Sequence, residues 1–130
     1  MDGRVTGQHS GYVENPGGGS NSTLVACLAE SNGTITGTAT LTGSTCVTST
    51  EGAVTGSIGG WTTSSSGSQK ADASLTFTFG DVTITASSYT YYSIDYLWGM
   101  LYWQGFYTSR YTFSGGACDG SHNSGGNLSK

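Results

Sequence analysis

Two histidines, three cysteines, eight carboxylates and four basic side chains make up most of the titrating chemistry in this 130-residue chain. Catalysis by proton transfer or by a bound metal needs such groups to converge at recognised spacings. His9 and His122 instead lie in the two loosest stretches, with no carboxylate or cysteine at a metal-ligand spacing, and both are predicted to be solvated. Asp119-Gly120-Ser121-His122-Asn123 starts like a calcium loop but lacks the glycine at the sixth position and the closing glutamate. Serine and threonine are too abundant to single out a nucleophile, and no G-x-S-x-G elbow or Ser/Lys pair occurs. Asp95, between Ile94 and Tyr96, would be costly to bury unpaired, and Arg110 is the one cation near it in sequence; an exposed or bulge position is the simpler reading. The expectation is a protein that is not an enzyme, with no cofactor and no metal site.

Cys27, Cys46 and Cys118 are an odd set, which in an oxidising compartment implies one disulfide and one further thiol. Cys27 and Cys46 lie in neighbouring strand candidates and would close a short loop, so that pair is expected, with Cys46 to Cys118 second. Three buried, reduced thiols are the alternative for a cytosolic chain.

Charged residues are only 9 % of the chain, against 22 glycines, so solubility rests on hydroxyls and backbone. A net charge of −4, with Arg4, Lys70, Arg110 and Lys130 the only cations, leaves no basic patch for nucleic acid. No run of 18 apolar residues exists to span a membrane. Met1-Asp2-Gly3-Arg4 is not followed by the apolar region of a signal peptide. The Lys-poor, Ser/Thr/Gly-rich composition nonetheless has the character of exported β-proteins, so secretion is expected, the signal being absent from this sequence.

The elements that must position any site read as strands. Residues 1–22 lack periodicity and contain the breaker Asn15-Pro16-Gly17-Gly18-Gly19, which predicts a flexible N-terminal arm whose isolated Tyr12 and Val13 could anchor a partner. TLVACLA at residues 23–29 suits a buried strand. TITGTATLT at 34–42 alternates strictly, with Thr34, Thr36, Thr38, Thr40 and Thr42 on one face. That threonine file resembles an ice-binding array, although the solvent face of a sheet explains it more simply. Weaker strands surround Val47, Val54 and Ile58, and residues 62–70 read as a long exposed loop. LTFTF and VTITA flank Gly80-Asp81 as a tight hairpin. The tail after Cys118, residues 119–130, is rich in Gly, Asn and Ser and is expected to be flexible. The fold class is therefore all-β: one antiparallel β-sandwich or small barrel over residues 23–118.

Residues 89–113 hold eleven of the fifteen aromatic residues and are expected to supply the core. A helix is conceivable there, but Gly99 would interrupt it, and Tyr, Trp and Ile prefer strands. Three pieces are expected, at about 88–98, 100–104 and 106–113, with Gly99 and Gly105 as bulge or turn. Tyr92, Ile94, Tyr96, Trp98, Met100 and Tyr102 share one parity; Tyr91, Leu97, Leu101 and Trp103 share the other. A single core uses one face, so the second is expected to cover a partner, with Tyr12, Val13, Tyr91, Leu97, Leu101, Trp103 and Tyr107 as partner-binding residues.

The segment STLVACLAESNGTITGTATLTGSTC, residues 22–46, resembles small secreted β-proteins of Streptomyces and related actinobacteria, among them the adaptor subunits of umbrella toxin particles. The resemblance implies a catalytically empty adaptor joining other protein subunits of an extracellular assembly, and it carries over no functional residues. Two other classes compete. A virion or tail component would share the low charge and the assembly surface, and a carbohydrate-binding module would use exposed rings such as Trp61 or Trp103 to stack on a glycan.

Overall fold

The computed structural model describes residues 5–18, 20–95 and 97–130; residues 1–4 of the expected arm, Gly19 and Tyr96 lie outside it. The described strands are β1 (Gly7–Glu14), β2 (Asn21–Ser31), β3 (Thr34–Thr42), β4 (Glu51–Ile58), β5 (Thr62–Thr63), β6 (Gln69–Phe79), β7 (Val82–Ile94), β8 (Leu101–Ser114), β9 (His122–Ser124) and β10 (Asn127–Ser129). A 3-10 turn, Gly116–Cys118, follows β8. Neighbours pair in the order β1-β2-β3-β4-β6-β7-β8, and β10 pairs with both β8 and β1, so the sheet closes into an eight-stranded antiparallel barrel. Of the two all-β forms the sequence allows, the barrel is realised.

Alternation builds its interior. Along β2, Ser22, Leu24, Ala26, Leu28 and Glu30 are buried while the residues between them face outward, as the pleat requires. β3 adds Ile35, Ala39 and Leu41; β6 adds Leu75, Phe77 and Phe79; β7 adds Val82, Ile84 and Ala86. The Gly80-Asp81 turn joins β6 to β7 in the expected register, with Phe79 opposite Val82. These side chains fill the barrel, as interiors of this strand number do.

Several expectations are corrected. Residues 7–14, assigned to the flexible arm, form β1, where Val13 is 1 % exposed inside the barrel and so cannot anchor a partner. Residues 119–130, assigned to a flexible tail, contain β9 and β10, and β10 is the strand that closes the sheet. It fits because glycines flank it: a side chain at Gly11 would run into the Asn127 carbonyl, and one at Gly105 would lie 2.5 Å from the Leu128 carbonyl oxygen. Gly105 is thus a point of close approach within one continuous β8, not a turn. Among the described residues of 89–113, the buried hydrophobic side chains are Phe106, Tyr111 and Phe113, and the core draws equally on Phe77 and Phe79.

The disulfide also differs from expectation. It joins Cys46 to Cys118, with S–S 2.01 Å and Cα–Cα 5.4 Å, and Cys27 is free and exposed. Because Ala26 and Leu28 point inward, Cys27 must point outward, and it pairs with Thr38 well along β3 from the Cys46 loop. In the native protein, one thiol equivalent is expected to react with an aromatic disulfide reagent without unfolding; zero or three equivalents would contradict this arrangement.

The threonines align across strands: Thr36 pairs Thr55, Thr55 pairs Thr76, Thr76 pairs Thr85, and Thr85 pairs Thr112. Closure of eight strands turns each neighbour by about 45° around the barrel, so this rank wraps a curved wall and presents no broad flat array.

Candidate binding surface on the longest hairpin

β7 and β8 are the longest strands, 13 and 14 residues, and they outrun their neighbours. Pairing of β6 with β7 ends at Gln69 opposite Tyr92. Pairing of β10 with β8 ends at Ser129 opposite Gly105, with one further bond from the Lys130 amide to the Gln104 carbonyl at 3.1 Å. Beyond that rim the hairpin continues as a two-stranded ribbon. Ser68 braces its base, its Oγ accepting the Ile94 N–H at 2.9 Å. The turn is held by the Asp95 N–H donating to the Met100 carbonyl at 2.8 Å and the Gly99 N–H donating to the Asp95 carbonyl at 2.7 Å. The Asp95 carboxylate accepts the Leu97 N–H at 2.9 Å, an Asx-type turn, so it shapes the loop. Arg110 lies toward the opposite end, opposite Ser87 and Ser124.

Two register shifts decide which aromatics show. Ser87 pairs Arg110 and Ser88 pairs Thr108, leaving Ser109 as an extra residue on β8. Parity therefore flips at Ser109: Tyr111 and Phe113 point inward on one side of it, Thr108 and Phe106 on the other, and Tyr107 turns outward. Tyr89 and Tyr91 share its outer face. The four outward rings touch: Tyr89 to Tyr107 5.2 Å, Tyr91 to Tyr107 6.2 Å and Trp103 to Tyr107 4.7 Å between centroids. The Lys70 ammonium sits 4.2 Å over the Tyr89 ring, a cation–π contact, and the Trp103 indole N–H donates to the Ser129 hydroxyl at 3.1 Å. Each of these four rings is only partly buried.

A second shift, between Ser93 and Ile94, leaves Tyr102 as the extra residue. At the tip Leu97 is 71 %, Trp98 75 %, Met100 68 %, Leu101 46 % and Tyr102 77 % exposed.

Of the expected partner residues, the structure places Tyr91, Trp103 and Tyr107 on this wall and Leu97 and Leu101 at its tip. Tyr12, 42 % exposed, lies on β1, which with β8 flanks β10, and its ring is beside Gly126. Val13 alone is withdrawn. Trp98, Met100 and Tyr102, of the parity expected inside, are instead exposed at the tip, and Tyr89 and Lys70, which the sequence does not single out, join the wall. No periodicity in the sequence marks where the ribbon leaves the barrel.

Two shallow clefts lie at the opposite end. One, of about 420 Å³, is lined by Glu14, Arg110, His122, Asn123 and Ser124. The other, of about 480 Å³, runs beside the disulfide between residues 44–49 and Phe79, Gly80 and Asp81. His122 is exposed as expected; His9 is not, being 1 % exposed with its ring 5.3 Å from Phe106. Burial pushes its pKa down to about 4, the Gly7 carbonyl opposes that shift and Lys130 adds to it. Burial likewise raises the Tyr111 pKa. Among the described residues no three His, Cys, Asp or Glu side chains converge on a common point, and no helix is long and apolar enough to cross a membrane.

Comparison with known proteins finds no matching family model, no matching curated protein and no matching solved structure. The class the chain defines is that of its architecture, a closed eight-stranded antiparallel barrel carrying one intramolecular disulfide.

Proposed function

We propose that this protein is a secreted, non-enzymatic adaptor that joins another protein subunit in an extracellular assembly through the outer wall of β7, β8 and β1. The observation that carries the reading is the strip of touching rings, Tyr89, Tyr91, Trp103 and Tyr107, on a surface otherwise built of threonine and serine. Tyrosine and tryptophan held in place by neighbours lose little freedom on binding, which is why such residues dominate interface energetics. The strip is pre-ordered by the Ser129 and Lys70 contacts. The barrel interior is occupied by its own side chains, so recognition falls to the exterior. The disulfide supports an oxidising compartment.

The test is capture from the native secretions, followed by reconstitution with the identified subunit. Trp103→Ala is expected to weaken the reconstituted complex by roughly 30-fold or more, the scale of an interface hot spot. Unchanged affinity in both Trp103→Ala and Tyr91→Ala would sink the reading. A glycan is the second candidate partner, favoured by the Trp103 and Tyr107 rings lying 34° from parallel. Glycan-array binding lost in Trp103→Ala would select it over the adaptor.

A further inference from the structure

The tip of the hairpin poses a problem separate from the aromatic wall. Leu97, Trp98, Met100, Leu101 and Tyr102 are all exposed within six consecutive positions. Consecutive pairs of an extended ribbon point to opposite faces. Leu101 pairs with Ile94 while Trp103 pairs with Ser93, which sets apolar groups on both faces of the ribbon. A flat protein partner would bury one face of this tip, well under the roughly 800 Å² per side of a standard interface. A fluid apolar medium covers every face at once.

Charge points the same way. No ionisable side chain other than tyrosine occurs between Asp95 and Arg110. Glu14, Glu51, Asp81 and Asp119 lie at the far end of the barrel, at the Asn21, Thr40, Val82 and Gly115 ends of its strands. Lys70, opposite Tyr91, and Lys130, beside Gln104, lie at the end from which the ribbon projects, together with Glu30, Asp72 and Asp95, so both signs occur there. The tip itself, residues 97–102, carries no formal charge. The ribbon extends about three residues past the rim, roughly 10 Å at about 3.3 Å per residue, which matches the ~5–10 Å depth of interfacial insertion.

From this juxtaposition we propose that residues 97–102 form a membrane-interface anchor that inserts into a zwitterionic phospholipid surface. Leu97, Met100 and Leu101 enter the acyl boundary, and Trp98 and Tyr102 sit at headgroup level, where amphipathic rings concentrate. This is insertion of one hairpin tip and not a crossing, because the barrel wall is hydroxylated. It goes beyond the adaptor reading, which uses the wall.

The test is flotation of the full chain with phosphatidylcholine vesicles, alongside Trp98 fluorescence in a Trp61→Phe, Trp103→Phe background. Wild type is expected to co-float, with a blue-shifted Trp98 emission quenched by brominated lipid. Trp98→Ser combined with Leu97→Ser is expected to lower the partition coefficient by roughly tenfold or more. Both sites are exposed, so the variant should keep the wild-type melting temperature. Raising salt from about 0.1 to 1 M should leave partitioning nearly unchanged, because the apolar tip dominates. Three results would overturn the proposal: no flotation with phosphatidylcholine, equal flotation of wild type and double variant, or a tip-dependent dimer that does not float. Trp103→Ala should retain flotation, so failure here and failure of the adaptor reading are distinguishable.

Discussion

Cys46→Ser is expected to lower the unfolding free energy by about 4 kcal/mol, the chain-entropy value for a bridge closing a loop of this length. The two cysteines are 72 residues apart, and the loop between them includes β4, β5, β6, β7 and β8. Opening it frees most of the barrel in the unfolded ensemble while leaving the folded contacts largely in place. Locally, the bridge ties the segment between β3 and β4 to the 3-10 turn that follows β8, just before the chain returns through β9 and β10. Cys46 is itself 5 % exposed and belongs to the core cluster, so serine there adds a small packing loss. The measurement is urea unfolding of wild type, Cys46→Ser, Cys118→Ser and Cys27→Ser. The first two should lose the same stability to within about 1 kcal/mol, and in a chain of this size the melting temperature should fall by roughly 10–20 °C. Cys27→Ser should match wild type, since that thiol is exposed and unbridged. A loss below about 1 kcal/mol in Cys46→Ser, or a comparable loss in Cys27→Ser, would refute the assignment.

The same cysteines show what could be read from sequence and what could not. TLVACLA reads as a continuous apolar run, so nothing in it says which face is buried, and only the closed barrel turns Leu24, Ala26 and Leu28 inward and Cys27 outward. The hairpin at Gly80-Asp81 was legible because turn chemistry and strand alternation are local. The roles of β1 and β10 were not. Neither shows periodicity, β10 being only three residues, and their place is set by a closure between residues more than a hundred positions apart, such as Gly11 opposite Leu128. The aromatic wall was half legible. Tyr91, Trp103 and Tyr107 belong to an outward face as the parity count suggested, yet Tyr107 does so only because Ser109 is inserted in the ladder. One extra residue exchanges the two faces of a strand, and nothing in TSR at 108–110 announces it. The tip is legible only in Leu97 and Leu101, because parity loses meaning in a turn, where Trp98 and Met100 are no longer on a sheet.

Acidification is expected to destabilise the barrel through His9. Its ring lies inside β1 against Phe106, Nδ1 is 3.3 Å from the Gly7 carbonyl, and Nε2 has no hydrogen-bonding partner. Desolvation is the main cause that holds its pKa down to about 4, against 6.5 for the unperturbed group. Above pH 6.5 both folded and unfolded chains carry a neutral imidazole, so His9 adds no pH dependence. Between 6.5 and about 4 the unfolded chain binds a proton that the folded one resists, so stability falls as pH falls. Below about 4 both states are protonated and this contribution levels off. Integrated over that window the loss is about 3 kcal/mol. Carboxylates titrate in the lower part of the same range, so the informative quantity is the difference between wild type and His9→Leu. The leucine variant removes the unpaired nitrogen, and its stability at pH 7 should equal or exceed that of wild type. Its curve should then diverge from the wild-type curve by about 3 kcal/mol on going to pH 4, most steeply between pH 6 and 4.5. Parallel pH profiles for the two proteins would show that the His9 ring reaches water before the barrel unfolds.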